Sequence, residues 1–489
     1  MSDAFSAFDK AAMARAVELA ERGLETAHPN PRVGCVIARD EQIISEGWHE
    51  WPGEVHAEAM ALRTLGGKAP GATAYVSLEP CSHFGRTPPC ANALIDAGIS
   101  RVVFAVQDPN PRVNGGGAAV LRAAGIQVES GLMATEAEQL NLGFLKRMRV
   151  GLPWVRLKLA MSLDGRTALA NGVSQWITGA AARDDVQHWR AQSSAVMTGI
   201  GTVLADDPRL NVRLPAARRR HPLRVILDSE LRTPPGAKVF STPGETIIFT
   251  ASDDSIRRRA LEASGARIEH LPRPSGGTAH IERVPRPAGG TAHVEHLPRP
   301  AGGTAHVEHL PQPSGGTAHV EHLSRLAGGT AQIEQVSRPS GGAAQIEHVP
   351  RAPGTAGPQE NSLAQRTGMR EAVASAGDSA TTGADSLLSG ALVMPPDNLL
   401  DLSAVLQRLA ALDVNELLVE AGATLAGSLI RANLVDELLI YMAPMLLGPQ
   451  ARALANLPEL TSLDASPRFS ILDSQRIGTD LRLRLTRVN

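Results

Sequence analysis

A repeated segment in the second half of the chain sets the first limit on its fold. Between about His270 and Glu347 a 13-residue unit, in versions of PRPAGGTAHVEHL, recurs six times with a Gly-Gly pair in each copy. A Ser-, Ala- and Gly-rich stretch follows, so roughly 115 residues lack the bulky apolar side chains needed to offset the entropy lost on ordering. Residues 270–386 are therefore predicted to be a low-complexity insert, disordered or loosely extended.

Histidines are concentrated in this insert and raise the question of metal capture. Nine of the fifteen histidines lie in or beside it, several in H-V-E-H strings. In an extended strand residues i and i+3 point to opposite faces, and the prolines and glycines oppose a helix, so each string would chelate a metal poorly. The composition favours a solvated tract over a metal store, with a short β-solenoid as a third interpretation.

Length, charge and cysteine content narrow the class of protein. A chain of 489 residues exceeds one ordinary core and predicts at least two domains. A net charge of −2 gives no field that would gather nucleic acid or an anionic membrane, so a small-molecule substrate is expected. No apolar run of about eighteen residues and no secretory signal is visible, which predicts a cytoplasmic protein without a membrane span. In a reducing compartment, three cysteines indicate metal ligation or catalysis.

Hydrophobic periodicity predicts an α/β fold for the first 150 residues. Short apolar runs at Val33–Ala38, Ala72–Leu78 and Arg101–Val106 are typical of buried strands. Apolar residues at helical spacing predict helices at Phe8–Gly23 and Ala91–Ala97, the second stopped by a glycine. Residues 1–150 are therefore predicted to form an α/β sandwich with a largely parallel sheet.

A second α/β domain is predicted after residue 150, interrupted by the insert. Its two parts are residues 151–269 and 387–489. Strands are predicted at residues 154–160, 195–199, 224–228, 246–250, 416–420 and 437–441. Beside the insert, either Ala266–Leu271 or Ala391–Met394 can occupy one strand position, and the sequence does not choose between them. Because long surface insertions add little closure entropy, the two parts are expected to fold together.

The strongest chemical signal is a His-Ala-Glu triplet followed by two cysteines. One residue separates His56 from Glu58, a proline precedes Cys81, and Cys90 follows after eight intervening residues. One imidazole and two thiolates match the three protein ligands of a catalytic zinc site, whose fourth position is left to water. Glu58 is then free to carry a proton from that water to a leaving amine. All three ligands are expected at helix starts; the alternative is a core histidine with two incidental buried cysteines.

The order H-x-E, P-C and C is the signature of zinc-dependent nucleobase deaminases, here with a longer spacing between the cysteines than P-C-x-x-C. The loop PCSHFGRTPPC, with HPNPRVGCV upstream and DPNPRVNGGG downstream, resembles the deaminase domain of the bifunctional riboflavin-biosynthesis deaminase/reductase family. The resemblance covers nearly all of residues 8–150 and implies a cytidine-deaminase-like three-layer α/β/α fold. It also implies that His56, Cys81 and Cys90 hold one zinc ion and that Glu58 is the catalytic proton donor.

Three further side chains near this motif stay undecided. By the resemblance Asn30 helps to orient a pyrimidine ring, but an Asn in a Pro-Asn-Pro turn also caps such a turn through its side chain. His83, between the two cysteines, either meets a substrate phosphate or is exposed, and His49 has the same ambiguity.

The second domain carries a glycine-containing segment after a predicted strand. Residues 421–428, AGATLAGS, open a helix whose first N–H groups could receive phosphate, although tight helix packing also explains these small residues. Together with KLAMSLDGRTA, SQWIT, RAQS and TVLADDPRLNVR, this segment resembles the reductase domain of the same family. The resemblance implies a dihydrofolate-reductase-like α/β fold and NADPH as the cofactor.

The resemblance also assigns the residues of the reductase site. Those implied to contact NADPH are Ala160, Trp176, Thr202, Asp206, Ser229, Gly422, Ala423, Thr424, Leu425, Ala426, Gly427 and Ser428. Those implied to contact substrate are Ser174, Arg190, Leu210, Arg213 and Glu420. Two arginines suit a ribose phosphate, because guanidinium groups bind phosphate in a forked geometry. Asp164 is expected to shape a turn rather than to act as an acid.

These signals together predict two sequential enzymes on one chain. By the resemblance, zinc-dependent hydrolysis removes the 2-amino group of a diaminopyrimidine ribosyl phosphate, and NADPH then reduces the ribosyl side chain. The rival interpretations are a deaminase of another base with an inert second domain, and a scaffold whose function lies in the histidine-bearing repeats. The sequence leaves the oligomeric state open, a homo-oligomer included.

Overall fold

The structure, a computed structural model, describes residues 5–82, 88–215, 220–272 and 400–488 in full, and the backbone alone of residues 279–281, 305–307 and 331–333. The chain divides into two compact units. The first contains Met1–Arg273 together with Asn398–Asn489, and the second contains Pro274–Asp397. Both predicted α/β domains lie in the first unit. The predicted domain limits, at residues 150, 270 and 386, stay predictions.

The N-terminal part of the first unit is built on one five-stranded sheet. Its strands are β1 (Gly34–Arg39), β2 (Gln42–Trp48), β3 (Thr73–Leu78), β4 (Arg101–Val106) and β5 (Gln127–Ser130). Its helices are α1 (Ala7–Glu21), α2 (Ala57–Thr64), α3 (Cys90–Asp96), α4 (Gly116–Ala123), α5 (Ala134–Leu140) and α6 (Leu142–Val150). The strand order is β2-β1-β3-β4-β5. The β3-β4 and β4-β5 pairs are parallel, as predicted, whereas β1 alone runs antiparallel to both of its neighbours.

A tight hairpin explains the antiparallel part of this sheet. Asp40 and Glu41 adopt φ angles of 50° and 54°, as in the two-residue turns that connect antiparallel strands. The turn lacks the glycine that usually announces such a hairpin, and most side chains of β2 are exposed or half-buried. Sequence analysis therefore missed β2.

Helices cover both faces of the sheet and confirm the predicted three-layer α/β/α architecture. On one face Ala61, Leu94 and Leu121, from α2, α3 and α4, pack against β1, β3 and β4. On the other face Met13 of α1 and Phe144 of α6 pack against the alternate side chains of the same strands. The sheet is thus buried on both sides, as its apolar strand sequences require.

A nine-stranded sheet forms the rest of the first unit. Its strands before the insert are β6 (Trp154–Ser162), β8 (Ala195–Gly199), β9 (Leu223–Leu227), β10 (Thr246–Thr250) and β11 (Ala266–His270), with a separate short strand β7 (Arg166–Ala168). Three short strands of the second unit follow in sequence and form a sheet of their own: β12 (Ala279–Ile281), β13 (Ala305–Val307) and β14 (Ala331–Ile333). After the insert come β15 (Glu416–Glu420), β16 (Glu437–Ala443), β17 (Arg452–Ala453), which pairs with β7, β18 (Phe469–Ile477) and β19 (Asp480–Arg487).

The helices of this domain are α7 (Ala180–Gln192), α8 (Ile200–Asp206), α9 (Ser255–Ala263), α10 (Leu402–Ala411) and α11 (Ala423–Arg431), with 3₁₀ turns at Lys238–Ser241 and Leu463–Ala465. The strand order is β11-β10-β9-β8-β15-β6-β16-β19-β18. Every neighbouring pair is parallel except those made by β19, which runs antiparallel to β16 and β18. Sequence analysis missed β18 and β19, although DLRLRLTR alternates leucine and arginine as a half-exposed strand does.

β15 lies at the centre of this sheet although it follows the insert in sequence. It pairs in parallel with β8 on one side and with β6 on the other. Leu271, before the insert, and Leu400, after it, both pack in the core around these strands. The two parts of the domain therefore share one hydrophobic core.

The strand beside the insert is β11. It pairs in parallel with β10, so Ala266–His270 occupies the position for which the sequence offered two candidates. The other candidate, Ala391–Met394, lies outside the described residues.

In the second unit, β12, β13 and β14 form a small parallel sheet. Ala279 pairs with Ala305, and Ala305 with Ala331, so equivalent positions of alternate repeat units lie side by side. The side chains of the insert lie outside the described part of the chain, and its disorder and its metal interpretation stay predictions. Of the helices that the structure describes, not one combines the length and the apolar character needed for a membrane span.

Candidate active sites

The predicted zinc ligands converge at one point of the N-terminal domain. The Nδ1 atom of His56 lies 3.2 Å from Sγ of Cys90 and 3.6 Å from Sγ of Cys81. The three ligand atoms all lie within 4.8 Å of one another, whereas the third cysteine, Cys35, is buried in β1 outside this group. Two sulfurs and one imidazole nitrogen fit zinc, and three protein ligands leave one position for water.

Three elements bring these ligands together. His56 is the residue before α2, and Cys90 is the first residue of α3. Cys81 follows β3 in an irregular segment, so the expectation that all three ligands stand at helix starts is wrong for this residue. Its sulfur nevertheless accepts a hydrogen bond from the backbone N–H of Cys90 at 3.3 Å. The start of α3 therefore orients both cysteines.

A glycine in β2 allows α2 to approach the sheet closely. A Cβ atom on Gly47 would stand 2.3 Å from the carbonyl oxygen of Ala57 and 2.6 Å from the amide nitrogen of Ala61. Any side chain at this position would push α2 outwards, and His56 and Glu58 would move with it. The glycine thus fixes the depth at which these two residues enter the site.

Hydrogen bonding within the cluster favours a thiolate at Cys81. The Cys90 thiol donates to the Cys81 sulfur, which outweighs burial and, with His56, lowers the pKa of Cys81. The same contact, together with burial, raises the pKa of Cys90. Contact with Cys81 also raises the pKa of His56. Because metal ligands must be deprotonated, binding a metal ion here would displace any proton held by Cys90 or His56.

Glu58 lies in the first turn of α2 and is only 3% exposed. Burial is the main cause that raises its pKa, and the negative charge of Cys81 adds to the effect. A carboxyl group with a raised pKa can both accept and donate a proton near neutral pH. This environment suits the proton transfer predicted for Glu58.

Asn30 and His49 form a hydrogen-bonded pair beside the cluster. The Nδ2 group of Asn30 donates to Nε2 of His49 at 3.0 Å, and Nδ1 of His49 donates to the carbonyl oxygen of Val55 at 3.1 Å. Burial lowers the pKa of His49, which keeps its ring neutral. The rings of His49 and His56 meet edge to face with 5.4 Å between centroids. His49 thus orients the Asn30 amide next to a zinc ligand, whereas His83 lies outside the described residues.

A buried carboxylate that sequence analysis did not single out holds the loop after β4. Glu79 is 3% exposed and accepts hydrogen bonds from the backbone N–H groups of Asp108, Gly115 and Ala118 at 3.3, 3.0 and 3.0 Å. The loop that carries DPNPRVNGGG is thereby fixed beside the segment of Cys81. A glutamate directly before the Pro-Cys pair was the available signal.

The predicted reductase residues gather where parallel strands end. Thr202 and Asp206 lie in α8, directly after β8, and Ser229 follows β9. Residues 422–428 form the start of α11, directly after β15. β8 and β15 are neighbours, but the chain leads from β8 to β9 on one side and from β15 to β16 on the other. A crevice at such a reversal is the usual ligand site of an open α/β sheet.

Glu420, at the end of β15, is the centre of a charged cluster in this crevice. Its Oε1 atom accepts a hydrogen bond from Nε of Arg190 at 2.5 Å, and its Oε2 atom lies 3.8 Å from Nζ of Lys158. Burial opposes ionisation of Glu420, but these cations outweigh it and lower the pKa to about 2. Burial lowers the pKa of Arg213, and the positive charge of the nearby Arg190 lowers it further. Sequence analysis passed over Lys158, which stands between two apolar residues of β6.

The loop before α7 carries two of the predicted contacts, Ser174 and Trp176. The Trp176 side chain is 67% exposed, and the guanidinium of Arg183 stacks 4.4 Å from its ring centroid. Gln175 donates to Oδ1 of Asp206 at 3.3 Å, which ties this loop to α8. An exposed indole at the mouth of the crevice is available to a ligand.

The glycine-containing segment has two parts with different surroundings. Gly422 is the residue before α11 and is exposed, and no side chain caps the first N–H groups of the helix. By contrast Ala426 is fully buried, and a Cβ atom on Gly427 would stand 2.1 Å from the carbonyl oxygen of Asn456. Close packing against that segment explains Gly427, so the N-terminal part of residues 422–428 is the part open to a ligand.

Two predicted contacts, Ala160 and Leu210, and the predicted turn residue Asp164 remain to be placed. Ala160 stands on the same face of β6 as Lys158, two positions further on. Leu210 is 2% exposed, so its backbone is the part that can face a ligand. Asp164 accepts hydrogen bonds from the N–H groups of Leu447 and Gly448 at 3.1 and 2.8 Å, and so holds a turn as expected.

Comparison with known proteins identifies both halves of the chain. Residues 6–106 match the cytidine and deoxycytidylate deaminase zinc-binding region, and residues 153–271 and 353–483 match the RibD C-terminal domain. The chain is 39% identical to the riboflavin biosynthesis protein RibD of Escherichia coli K12, over 98% of this chain and 99% of that protein. The chain belongs to the RibD family. RibD of Haemophilus influenzae is 37% identical over 99% of this chain and 98% of its own length.

Two solved structures match nearly the full length of the chain. Acinetobacter baumannii RibD, form 1, is 36% identical with a TM-score of 0.69, and 99% of each chain is covered. A diaminohydroxyphosphoribosylaminopyrimidine deaminase/5-amino-6-(5-phosphoribosylamino)uracil reductase of Thermotoga maritima is 25% identical with a TM-score of 0.64, covering 98% of this chain and 99% of that one. The predicted family and fold class are confirmed. As a RibD-family chain it is a bifunctional enzyme of riboflavin biosynthesis, with a zinc-binding deaminase domain and a reductase domain.

The three cysteines offer a matched test of the metal site. Replacing either ligand, in Cys81→Ser or Cys90→Ser, is expected to reduce the zinc content of purified protein from about one ion per chain to a small fraction of that, because two ligands hold zinc poorly. Cys35→Ala removes a buried sulfur outside the cluster and should retain the metal. Elemental analysis of the three variants decides the matter, and equal zinc content in all of them would contradict the assigned ligands.

Proposed function

We propose that the chain catalyses two consecutive reactions on a pyrimidine ribosyl phosphate. The first is hydrolytic deamination of 2,5-diamino-6-(5-phosphoribosylamino)pyrimidin-4(3H)-one, and the second is NADPH-dependent reduction of its ribosyl side chain to give 5-amino-6-(5-phosphoribitylamino)uracil. The convergence of His56, Cys81 and Cys90 beside the buried Glu58, in a chain that also carries a reductase domain, is the observation that carries the proposal. The activity named for the Thermotoga maritima relative supports the choice of substrate.

Deamination requires a nucleophilic water, a proton carrier and an oriented ring. Zinc held by His56, Cys81 and Cys90 would supply the Lewis acidity that makes water nucleophilic near neutral pH. Glu58 takes up a proton during attack and returns it to the departing amine, which its raised pKa permits. Asn30, oriented by His49, places its amide against the pyrimidine ring.

The reduction is assigned to the crevice between α8 and α11. NADPH bound there would supply the hydride that reduces C1 of the opened ribose. The first N–H groups of α11, from Gly422 to Leu425, receive a phosphate of the cofactor, because a helix N-terminus favours anions. The other proposed cofactor contacts are Ala160, Trp176, Thr202, Asp206 and Ser229.

The charged cluster at the end of β15 is assigned to the substrate. Arg190 and Arg213 face the ribose phosphate, since guanidinium groups bind phosphate through paired hydrogen bonds. Glu420 holds Arg190 in place and presents its remaining acceptor capacity to the ribosyl hydroxyls. Ser174 and the backbone of Leu210 complete the proposed contacts.

Mass spectrometry of the products tests the whole proposal. Purified, zinc-replete protein is incubated with the diaminopyrimidine ribosyl phosphate alone, with NADH, or with NADPH. Exchange of one amino group for oxygen is expected without cofactor, and addition of two hydrogens is expected with NADPH and much less with NADH. No reaction under any condition would overturn the substrate and favour a deaminase of another base, and equal use of NADH would overturn the cofactor.

Glu58→Gln separates proton transfer from metal binding. The amide keeps the size of the side chain but cannot shuttle a proton, so the kcat of deamination is expected to fall at least about 100-fold. Zinc content and reduction of the deaminated intermediate, supplied directly, should match the unaltered protein. A deaminase kcat within about tenfold of the original would rule out the assigned proton carrier.

Glu420→Gln tests the reductase cluster in the same way. Without this carboxylate, the guanidinium of Arg190 loses its ion-pair partner in a buried site, and the kcat/KM of reduction is expected to fall at least about tenfold. Glu269→Gln is the matched control. Glu269 lies on the edge strand β11 and binds Arg408 of α10, outside the crevice. Steady-state reduction assays with both variants should show the loss in the first alone, with deamination unchanged. Equal activity of the two variants would contradict the assignment.

A further inference from the structure

The segment His28–Arg32 of the deaminase domain lies between the two domains. Asn30, at its middle, is oriented toward the deaminase site by its hydrogen bond to His49. The residues on either side of Asn30 contact the reductase domain instead. The segment therefore belongs to one active site and is held from the other domain.

Arg32 makes the strongest of these contacts. Its Nη1 and Nη2 groups donate to Oε1 and Oε2 of Glu416 at 2.7 Å each, a paired geometry in which both side chains are almost fully buried. Glu416 is the first residue of β15, the central strand of the reductase sheet. The ion pair thus joins the deaminase segment to the central strand of the other domain.

Two further residues of the segment are held from the reductase side. Nε2 of His28 lies 2.5 Å from the carbonyl oxygen of Gln192, and its Nδ1 lies 3.2 Å from Oγ of Ser194. The amide of Asn415 donates to the carbonyl oxygen of Pro29 at 2.8 Å. The residues before Asn30 are therefore fixed as firmly as Arg32 after it.

Within the deaminase domain the backbone of Arg32 is pinned as well. The side-chain amide of Asn141 accepts from the N–H of Arg32 and donates to its carbonyl oxygen, both at 2.8 Å. These bonds hold the backbone of Arg32 in place, so Glu416 also acts on Asn30 from the other side, through His28. Nε2 of His28 lies 3.1 Å from Oε2 of Glu416 and 2.6 Å from Nη2 of Arg32.

The charges around Glu416 make its carboxylate necessary to this arrangement. Burial, and then the charge of Arg32, lower the pKa of His28 to about 4, so this ring is neutral. Burial opposes ionisation of Glu416, but the charge and hydrogen bonds of Arg32 outweigh it and lower the pKa of Glu416, and Arg220 is close enough to feel the same carboxylate. Neutralising Glu416 would leave two guanidinium groups close together in a buried place, and they would move apart.

We propose that Glu416, a residue of the reductase domain, is a positioning residue for deamination. It fixes His28 and Arg32, on either side of Asn30, and thereby the place of the Asn30 amide beside the zinc ligands. The inference rests on the proposed function, in which Asn30 contacts the pyrimidine ring. It makes the reductase domain a structural part of the deaminase site.

Another ion pair between the same domains supplies the matched control. Nζ of Lys146, in α6, lies 2.6 Å from Oδ2 of Asp436. Lys146→Gln breaks this contact without touching the 28–32 segment. A general loosening of the two domains would affect both variants, whereas displacement of Asn30 would affect Glu416→Gln alone.

The test measures both reactions in the full-length chain. Glu416→Gln is expected to lower the kcat/KM of deamination at least about tenfold, chiefly through KM, while Lys146→Gln stays within about twofold. Reduction of the supplied intermediate and zinc content should be unchanged in both. Glu416→Asp, which keeps the charge, should recover most of the loss. Asn415→Asp replaces the donor to Pro29 with a carboxylate oxygen that repels the Pro29 carbonyl, and it should lower deamination in the same way even if Glu416→Gln fails to fold.

A double-mutant cycle with Asn30→Ala distinguishes positioning from stability. Because Glu416 acts through Asn30, adding Glu416→Gln to Asn30→Ala should lower deaminase kcat/KM by no more than about twofold beyond the single Asn30 variant. Fully additive losses would overturn the inference, as would normal deamination by Glu416→Gln. If the unaltered protein did not deaminate the substrate, the proposed function itself would fail.

Discussion

Both active sites depend on one constraint of parallel β-sheets, namely that the segments following neighbouring parallel strands emerge at the same edge. In the deaminase domain β3 and β4 are parallel, so the segment of Cys81 and the loop held by Glu79 leave the sheet side by side. In the reductase domain β8 and β15 are parallel, so α8 and α11 begin next to each other. Chemistry is therefore concentrated at one end of each sheet, where backbone N–H groups and loop side chains are accessible.

The parts of the sites that sequence could predict are those whose chemistry is local. His56 and Glu58 are separated by one residue, and their spacing to the cysteines has few other uses, so the metal site followed from the order of residues alone. Lys158 and Glu79 were missed because their roles come from neighbours far along the chain. The turn of Asp40 and Glu41 was missed because neither of these residues with positive φ is a glycine. The resemblance to a family predicted the residues of the reductase site, but only packing separates the buried Gly427 from the exposed Gly422.

Buried charge connects the domains through a single strand. β15 begins with Glu416, which pairs with Arg32 of the deaminase domain, and ends with Glu420, which pairs with Arg190 in the reductase site. Both carboxylates stay ionised because arginines face them. Removing the arginine would leave a buried carboxylate without its ion-pair partner, which is unfavourable. A short strand of the central sheet thus carries one contact that matters to each reaction.

The position of β15 also bears on how the chain assembles during synthesis. Its neighbours β6 and β8 leave the ribosome long before it, because the whole insert is translated in between. Until residues 416–420 emerge, the reductase sheet lacks its middle strand. The ion pair of Arg32 cannot form before then, because Glu416 lies 384 positions further along the chain. The nascent deaminase domain can bring its metal ligands together early. Its contact with Glu416 forms only when the reductase sheet assembles around β15.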